Sequence, residues 1–232
     1  MKRKVLDALQ AAREARRPVA LVTDLATGAQ ALLESGEVLG DLELADDALA
    51  AAMQMLERDT SKAIDTGDRR IFVHVYNPPS RLIIVGAVHI AQALAPMAAL
   101  MGYAVTIVDP RRAFATDARF PTVTLSDDWP DEAMEKLSPD RRTAVVTLTH
   151  DPKLDDAALS VALKSPAFYI GSLGSRRTHA SRLQRLGALG FSEAELNRIR
   201  GPVGLSINAI SPAEIAVSIL GQITEVRRKD AK

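Results

Sequence analysis

Residues 81–112, RLIIVGAVHIAQALAPMAALMGYAVTIVDPRR, decide the fold of this chain. An apolar run ends at Gly86, a segment of helical periodicity covers about 90–101, and a second apolar run, 104–108, leads to Asp109. The order strand, tight turn, helix, strand and acidic residue is that of the first βαβ unit of a Rossmann fold. In such units the helix N-terminus holds a phosphate and the acid holds a ribose hydroxyl. The segment therefore predicts a nucleotide-like or phosphate-bearing ligand, and it does not by itself indicate an enzyme.

Strand and helix patterns alternate through the rest of the chain, which is typical of a parallel sheet with right-handed crossovers. The predicted strands are 82–86, 104–108, 122–125, 143–148 and 167–170, and the predicted helices are 89–101, 131–137, 155–164, 175–187, 192–199 and 212–227. The sequence from Ser211 to Glu214 has the spacing of a capping box with proline at the first helical position. We therefore predict an α/β fold with a C-terminal Rossmann-like domain over 81–228.

The first part of the chain has a different pattern and predicts a small α+β domain over residues 1–77. Its predicted strands are 19–24, 29–33 and 71–76. Its predicted helices are a short one that ends near Arg17 and one over 48–58. Asn77-Pro78-Pro79-Ser80 has the composition of a linker, so we place the domain boundary there.

The composition limits the classes of function. The chain has 232 residues, 47% of them hydrophobic and 25% charged, with a formal net charge of +0, so nucleic acid is not an expected partner. It has no cysteine, which excludes disulfides, thiolate metal sites and cysteine nucleophiles. Its start lacks a signal-peptide core and no apolar run has the length of a membrane span, so we expect a cytoplasmic protein without membrane contact.

The first candidate binding turn covers 86–91. Gly86 and Ala91 match the first and third positions of the G-x-G-x-x-G/A fingerprint, whereas Val88 occupies the position of the second glycine. A β-branched residue there crowds a dinucleotide, so the turn fits either a phosphate or modified-nucleotide site or a scaffold without ligand. Asp109 fits the ribose role, and it equally fits a turn former before proline.

A second turn, 171–177, follows a predicted strand and places Arg176 and Arg177 in the first turn of a helix, where cations are unfavourable unless an anion is near. A third, 147–151, ends another strand and carries a histidine beside an aspartate, which fits acid–base work, contact with a ligand or a polar loop. The histidines have no metal-ligand spacing, so no metal site is predicted. The candidate cofactor-binding residues are Gly86, Ala87, Val88, His89, Asp109, Arg111, His150, Asp151, Gly171, Ser172, Gly174, Ser175, Arg176 and Arg177; no catalytic residue is assigned.

Taken together, these motifs resemble the XdhC/CoxI family of xanthine dehydrogenase accessory proteins. The resemblance covers roughly 81–225 and keeps the motif order: G-A-x-H-I-A at 86–91, V-D-P-R at 108–111, F-P at 120–121, T-H-D-P-K-L-D at 149–155, Y-I-G-S-L-G-S-R-R at 169–177, and the segments around 202–205 and 214–216. The family usually carries a Gly-Gly-Cys segment in its N-terminal domain. The corresponding region here, 36–43, has no cysteine, and the N-terminal part looks shortened.

The resemblance implies a chaperone for the molybdenum cofactor, molybdopterin, without enzymatic turnover of its own. It implies that such a protein assists sulfuration of the cofactor and delivers it to a molybdenum hydroxylase of the xanthine dehydrogenase type. As further partners, the resemblance implies a sulfur-donating desulfurase and a second copy of the chain in a homodimer. Two alternatives remain open at this point: an NAD(P)-dependent oxidoreductase that uses the same crevice, and a protein–protein adaptor with an empty Rossmann site.

Overall fold

The computed structural model describes residues 2–67, 69–121 and 123–229. The chain divides into two compact units, Met1–Pro78 and Pro79–Lys232. No helix of the described residues is both long and apolar enough to cross a membrane.

The N-terminal unit is an antiparallel sheet with one helix on each face. Its elements are α1 (Arg3–Glu14), β1 (Val19–Asp24), β2 (Gln30–Glu34), β3 (Glu37–Gly40), α2 (Asp46–Arg58), β4 (Lys62–Thr66) and β5 (Arg69–Tyr76), and the strand order is β3-β2-β1-β5-β4. Alternate residues of β1 face opposite helices, because Ala20 and Val22 join the core beneath α2, whereas Val19 and Leu21 join the core beneath α1.

The C-terminal unit contains a six-stranded sheet in which every pair of neighbouring strands is parallel. Its strands are β6 (Arg81–Val85), β7 (Ala104–Val108), β8 (Thr124–Ser126), β9 (Thr143–Thr147), β10 (Tyr169–Ser172) and β11 (Ile199–Arg200), in the order β11-β10-β9-β6-β7-β8. Counted from the first strand of this unit, the order is that of the Rossmann fold. The predicted fold class is confirmed.

Helices cover both faces of this sheet. They are α3 (His89–Leu100), α4 (Pro130–Leu137), α5 (Pro152–Lys164), α6 (Arg176–Ala188), α7 (Glu193–Leu196) and α8 (Pro212–Lys229). Helices α3 and α8 share one apolar core with the sheet, and α4, α5 and α6 share the other. At the start of α8, Ser211 and Glu214 form the predicted reciprocal cap, with the Ser211 amide 2.8 Å from the glutamate carboxylate.

The structure corrects one predicted element and adds others. The helix predicted over 192–199 ends at Leu196, and Ile199 instead begins a short strand that pairs with β10. Ile199 is buried beside Ile170, so packing against the sheet takes precedence over helix continuation. Strands β3 and β4, both short and with little buried surface, were not predicted. Part of the strand predicted over 122–125 lies outside the described residues.

Candidate functional site

The candidate site lies at the carboxyl edge of the parallel sheet. The chain connections from β6 and β9, which are neighbours, lead to opposite faces, which makes this pair the topological switch point. Ligands of open α/β sheets bind in the crevice at that point. The predicted turns at Gly86, Thr149 and Gly174 follow β6, β9 and β10, so the fold brings all of them to the same edge.

Gly86 allows a close approach between the turns after β6 and β9. Its φ angle is +115°, and a Cβ atom built on it would lie 2.8 Å from the Cγ2 atom of Thr149. Its own amide donates to the carbonyl of Val108 at 2.8 Å. The first glycine of the fingerprint is therefore required by the packing of the turn.

Asp109 is buried at the end of β7 and is fully hydrogen-bonded. One carboxylate oxygen accepts from the amide and Nε of Arg111, and the other accepts from Arg111 Nη2 and from the amide of Ala87, all between 2.8 and 3.0 Å. Burial raises the pKa of Asp109, but the bonds from Arg111 and Ala87 outweigh it and leave the pKa below its ordinary value. A ribose hydroxyl would have to displace Arg111, so the ribose role stays a prediction.

The start of α3 is open to an acceptor. Val88 is the N-cap residue, no side chain caps the helix, and its first turn holds no acidic residue. His89 is exposed, while Ala87 is fully buried and its amide is already used by Asp109. The free first-turn amides carry the positive end of the helix dipole, which favours an anion.

The turn after β10 has an inner part and an outer part. Gly171 and Ser172 lie inside the strand and are buried; a Cβ at Gly171 would lie 2.5 Å from Val203, and the hydroxyl of Ser172 bonds that of Thr147. Both residues are therefore in a position to shape the site without direct contact with a ligand.

The outer part of this turn is accessible. Ser175 caps α6 by accepting from the amide of Thr178 at 3.1 Å, and Gly174 has a φ angle of +143°. Arg176 and Arg177 are both exposed in the first helical turn, and neither forms an ion pair among the described residues. The predicted basic helix start is present in the structure.

The histidine–aspartate sequence at 150–151 does not form a dyad. His150 is exposed with a φ angle of +62°, whereas the Asp151 carboxylate caps α5 by accepting from the amide of Lys153 at 2.9 Å. The carboxylate that bonds to this turn is that of Asp155, which is buried and accepts from the hydroxyl of Thr149 at 2.6 Å. Burial raises the pKa of Asp155, and the hydrogen bond from Thr149 and the charge of Arg182 offset only part of that rise.

A pocket of about 260 Å³ lies between the start of α5 and the side of α6. Its lining residues are His150, Pro152, Asp155, Arg177, Thr178, Ser181, Arg182 and Arg185. Two of the residues predicted for the site, His150 and Arg177, meet here, while the Gly86 turn and Asp109 are not among the lining residues.

The inner residues of this pocket were not predicted from the sequence. Arg182 is only 1% exposed, and it lies one helical turn before the buried Leu186 of α6. A charged residue at a position of the buried stripe is unusual, and that pattern was the available signal. Among the described residues no group of three or more His, Cys, Asp or Glu side chains is arranged to hold a metal ion.

Comparison with known proteins identifies the family of this chain. Residues 82–223 match the model of the XdhC Rossmann domain. The molybdenum cofactor insertion chaperone PaoD of Escherichia coli (strain K12) is 36% identical over 152 residues, which cover 66% of this chain and 42% of that protein. A probable xanthine dehydrogenase subunit of Bacillus subtilis (strain 168) is 32% identical over 162 residues, covering 69% of this chain and 47% of that one.

Among solved structures, a xanthine dehydrogenase from Bacillus halodurans matches with a TM-score of 0.75 and 26% identity. That match covers 98% of this chain and 67% of the other. The chain spans less than half the length of the two curated relatives described above.

Proposed function

The chain belongs to the XdhC family, and from that premise we propose that it binds the molybdenum cofactor as cargo and passes it to a molybdenum hydroxylase of the xanthine dehydrogenase type. The names of its relatives support an accessory or chaperone role. The observation that carries the proposal is that two helix starts, α3 and α6, lie at the same edge of the sheet, the second of them with the exposed Arg176 and Arg177.

The chemistry of this edge suits the phosphate end of molybdopterin. Helix N-termini offer backbone N–H groups to phosphate oxygens, and guanidinium groups form charge-assisted hydrogen bonds with them. These are reversible electrostatic contacts, which a carrier needs because it must release its cargo. The imidazole of His150 is exposed at the same edge, and we expect it to contact the pterin.

The metal end of the cargo has no thiolate ligand in this chain, since the sequence contains no cysteine. The chain therefore offers no persulfide of its own for sulfuration. If the bound cofactor is sulfurated, we expect a desulfurase to supply the sulfur, because the side chains of this chain do not. A homodimer and a cytoplasmic location remain part of the same proposal.

Calorimetric titration of the full chain with molybdopterin cofactor tests the proposal. We expect saturable binding, weakened by Arg176→Ala and Arg177→Ala because each removes a cation at the start of α6. NAD and NADP serve as comparison ligands, and we expect neither to bind, since Val88 crowds the α3 turn and Arg111 occupies Asp109.

The outcome separates the competing functions. Absence of molybdopterin binding at micromolar protein would overturn the chaperone proposal. Nicotinamide binding with hydride transfer would place the chain among the oxidoreductases. A stable complex with a molybdenum hydroxylase in the absence of any ligand would favour an adaptor.

A further inference from the structure

We propose that the pocket between α5 and α6 is a binding site for a phosphate-type dianion, with Arg182 at its base and Arg177, Thr178 and Ser181 around it. The proposal concerns the anion site itself and does not depend on the chaperone role. The phosphate of a larger ligand and free inorganic phosphate share this chemistry, and the experiment below distinguishes them.

Arg182 carries the argument because its hydrogen-bonding capacity is largely unused. Its Nη2 atom donates to the carbonyl of Leu173 at 2.9 Å, but its Nε and Nη1 atoms are buried without a partner. A buried donor without an acceptor is unfavourable, and a guanidinium in that state is rarer still. An anion in the pocket that Arg182 lines would supply the missing acceptors.

Asp155 does not satisfy this guanidinium. Its nearer oxygen is 3.7 Å from Arg182 Nη2, beyond hydrogen-bond distance, and its other oxygen accepts from the hydroxyl of Thr149. Burial lowers the pKa of Arg182 even though Asp155 and Asp156 oppose that effect. Arg182 and Asp155 thus form a buried ion pair without a hydrogen bond, and the Nε and Nη1 donors of the guanidinium still lack an acceptor.

The remaining lining residues give the pocket an excess of positive charge. Arg185 is neutralised by Asp156, with its Nη2 3.1 Å from a carboxylate oxygen. Arg177 has no ion-pair partner among the described residues. With Arg177 and Arg182 set against the single lining carboxylate of Asp155, the described lining carries a net positive charge.

The size and the polar atoms of the pocket define the ligand class. Its volume of about 260 Å³ is below the range of roughly 300–1,000 Å³ in which proteins bury whole drug-sized ligands. The pocket therefore fits one compact anionic group. The hydroxyls of Thr178 and Ser181 line it and add donors, and a bidentate guanidinium matches the geometry of two phosphate oxygens.

The test is calorimetric titration of the full chain with inorganic phosphate and, separately, with a phosphate monoester. We expect wild-type protein to bind phosphate saturably. Arg177→Ala should weaken binding about tenfold or more, because a charge-assisted hydrogen bond is lost. Arg141→Ala is the matched control: Arg141 is also exposed, but it precedes β9 and so lies at the opposite edge of the sheet. Equal losses of phosphate affinity in both variants would show that the effect comes from the overall charge of the protein, which would overturn the proposal.

Arg182→Gln should abolish phosphate binding, and circular dichroism checks that this buried variant folds. Ser181→Glu provides a second route, because Ser181 is exposed and a carboxylate there repels an anion without disturbing the core. Wild-type protein that binds no phosphate, or a Ser181→Glu variant that binds it unchanged, would overturn the proposal.

The two ligands separate the possible sources of the anion. Tighter binding of the monoester assigns the site to a phosphate carried by a larger molecule, whereas tighter binding of inorganic phosphate assigns it to the free ion. Phosphate binding without molybdopterin binding would leave this site standing and remove the chaperone proposal. Molybdopterin binding that is unaffected by Ser181→Glu, in protein that binds no phosphate, would overturn this anion site and support the chaperone proposal.

Discussion

Helices α3 and α6 both start at the carboxyl edge of the sheet, and they differ in how their N-termini are capped and which charges lie beside them. The α3 turn has no side-chain cap, and its Ala87 amide is bound to the buried Asp109. The α6 start is capped by Ser175 and carries Arg176 and Arg177 in its first turn. In the turn that carries the Rossmann fingerprint, Asp109 thus takes the Ala87 amide while the start of α3 stays uncapped, whereas the turn without a nucleotide motif has two exposed arginines beside it. A sequence motif marks the location of a crevice, and the local pairing of charges decides which part of it is available.

The largest expected effect tests whether the α3 turn is held by packing. Gly86→Ala should lower the free energy of unfolding by about 3–5 kcal/mol, because it combines backbone strain with a contact against Thr149. Fluorescence of Trp129, the single tryptophan, follows denaturant unfolding of the C-terminal unit.

Gly190→Ala is the matched control for that experiment. Gly190 also has a positive φ, +95°, but a Cβ there would meet no atom within 4 Å. The substitution should lower the free energy of unfolding by about 1–2 kcal/mol through backbone strain alone. Equal costs for the two variants would show that the contact with Thr149 contributes nothing.

The next effect tests Asp109 as the group that ties the α3 turn to β7. Asp109→Asn should lower the free energy of unfolding by about 2–3 kcal/mol, since it removes a buried charge pair and places an amide N–H₂ among donors. Asp127→Asn serves as the control, because the Asp127–Arg112 pair is exposed on both sides and such pairs contribute about 0–1 kcal/mol. An Asp109→Asn variant as stable as Asp127→Asn would contradict the structural role.

The same carboxylate predicts a dependence of stability on pH. The pKa of Asp109 is lower in the folded state than its ordinary value of 3.8. Its contribution is therefore fully present above that value and is lost as the pH falls through the folded pKa. Denaturant unfolding from pH 6 to pH 2 should show a steeper loss of stability for the wild type than for Asp109→Asn. Parallel curves would refute the assignment.

The smallest effect compares the two helix caps directly. Ser175→Ala removes the oxygen that accepts from the Thr178 amide and should cost about 1 kcal/mol. Val88→Ala removes no capping oxygen, but Val88 is partly buried against the apolar core, so the lost packing should lower the free energy of unfolding by about 0.5–1 kcal/mol. Denaturant midpoints of the two variants provide the measurement, and a larger cost for Val88→Ala would mean that packing of valine, rather than capping, dominates at these positions.

The sequence by itself determined the architecture and the family. Alternating apolar runs and helical periodicity are local signals, so they located the Rossmann-like sheet, the Gly86 turn and the capped start of α8, and motif order identified the XdhC resemblance. The count of zero cysteines settled which metal chemistry this chain lacks. Short elements such as β11 were not predicted, because Ile199 is a strand residue through its packing against the sheet and not through a local pattern.

Only the tertiary structure decided how the charges at the sheet edge are paired. From the sequence, Asp109 fitted either a ribose contact or a turn, and His150 and Asp151 were neighbours in one candidate turn. The fold shows that Asp109 accepts from Arg111 and Ala87 and that Asp151 caps the start of α5. It also buried Arg182 with unused donors. Burial and hydrogen bonding join residues that are far apart in the chain, and their strength depends on exclusion of water, which no local pattern of residues encodes.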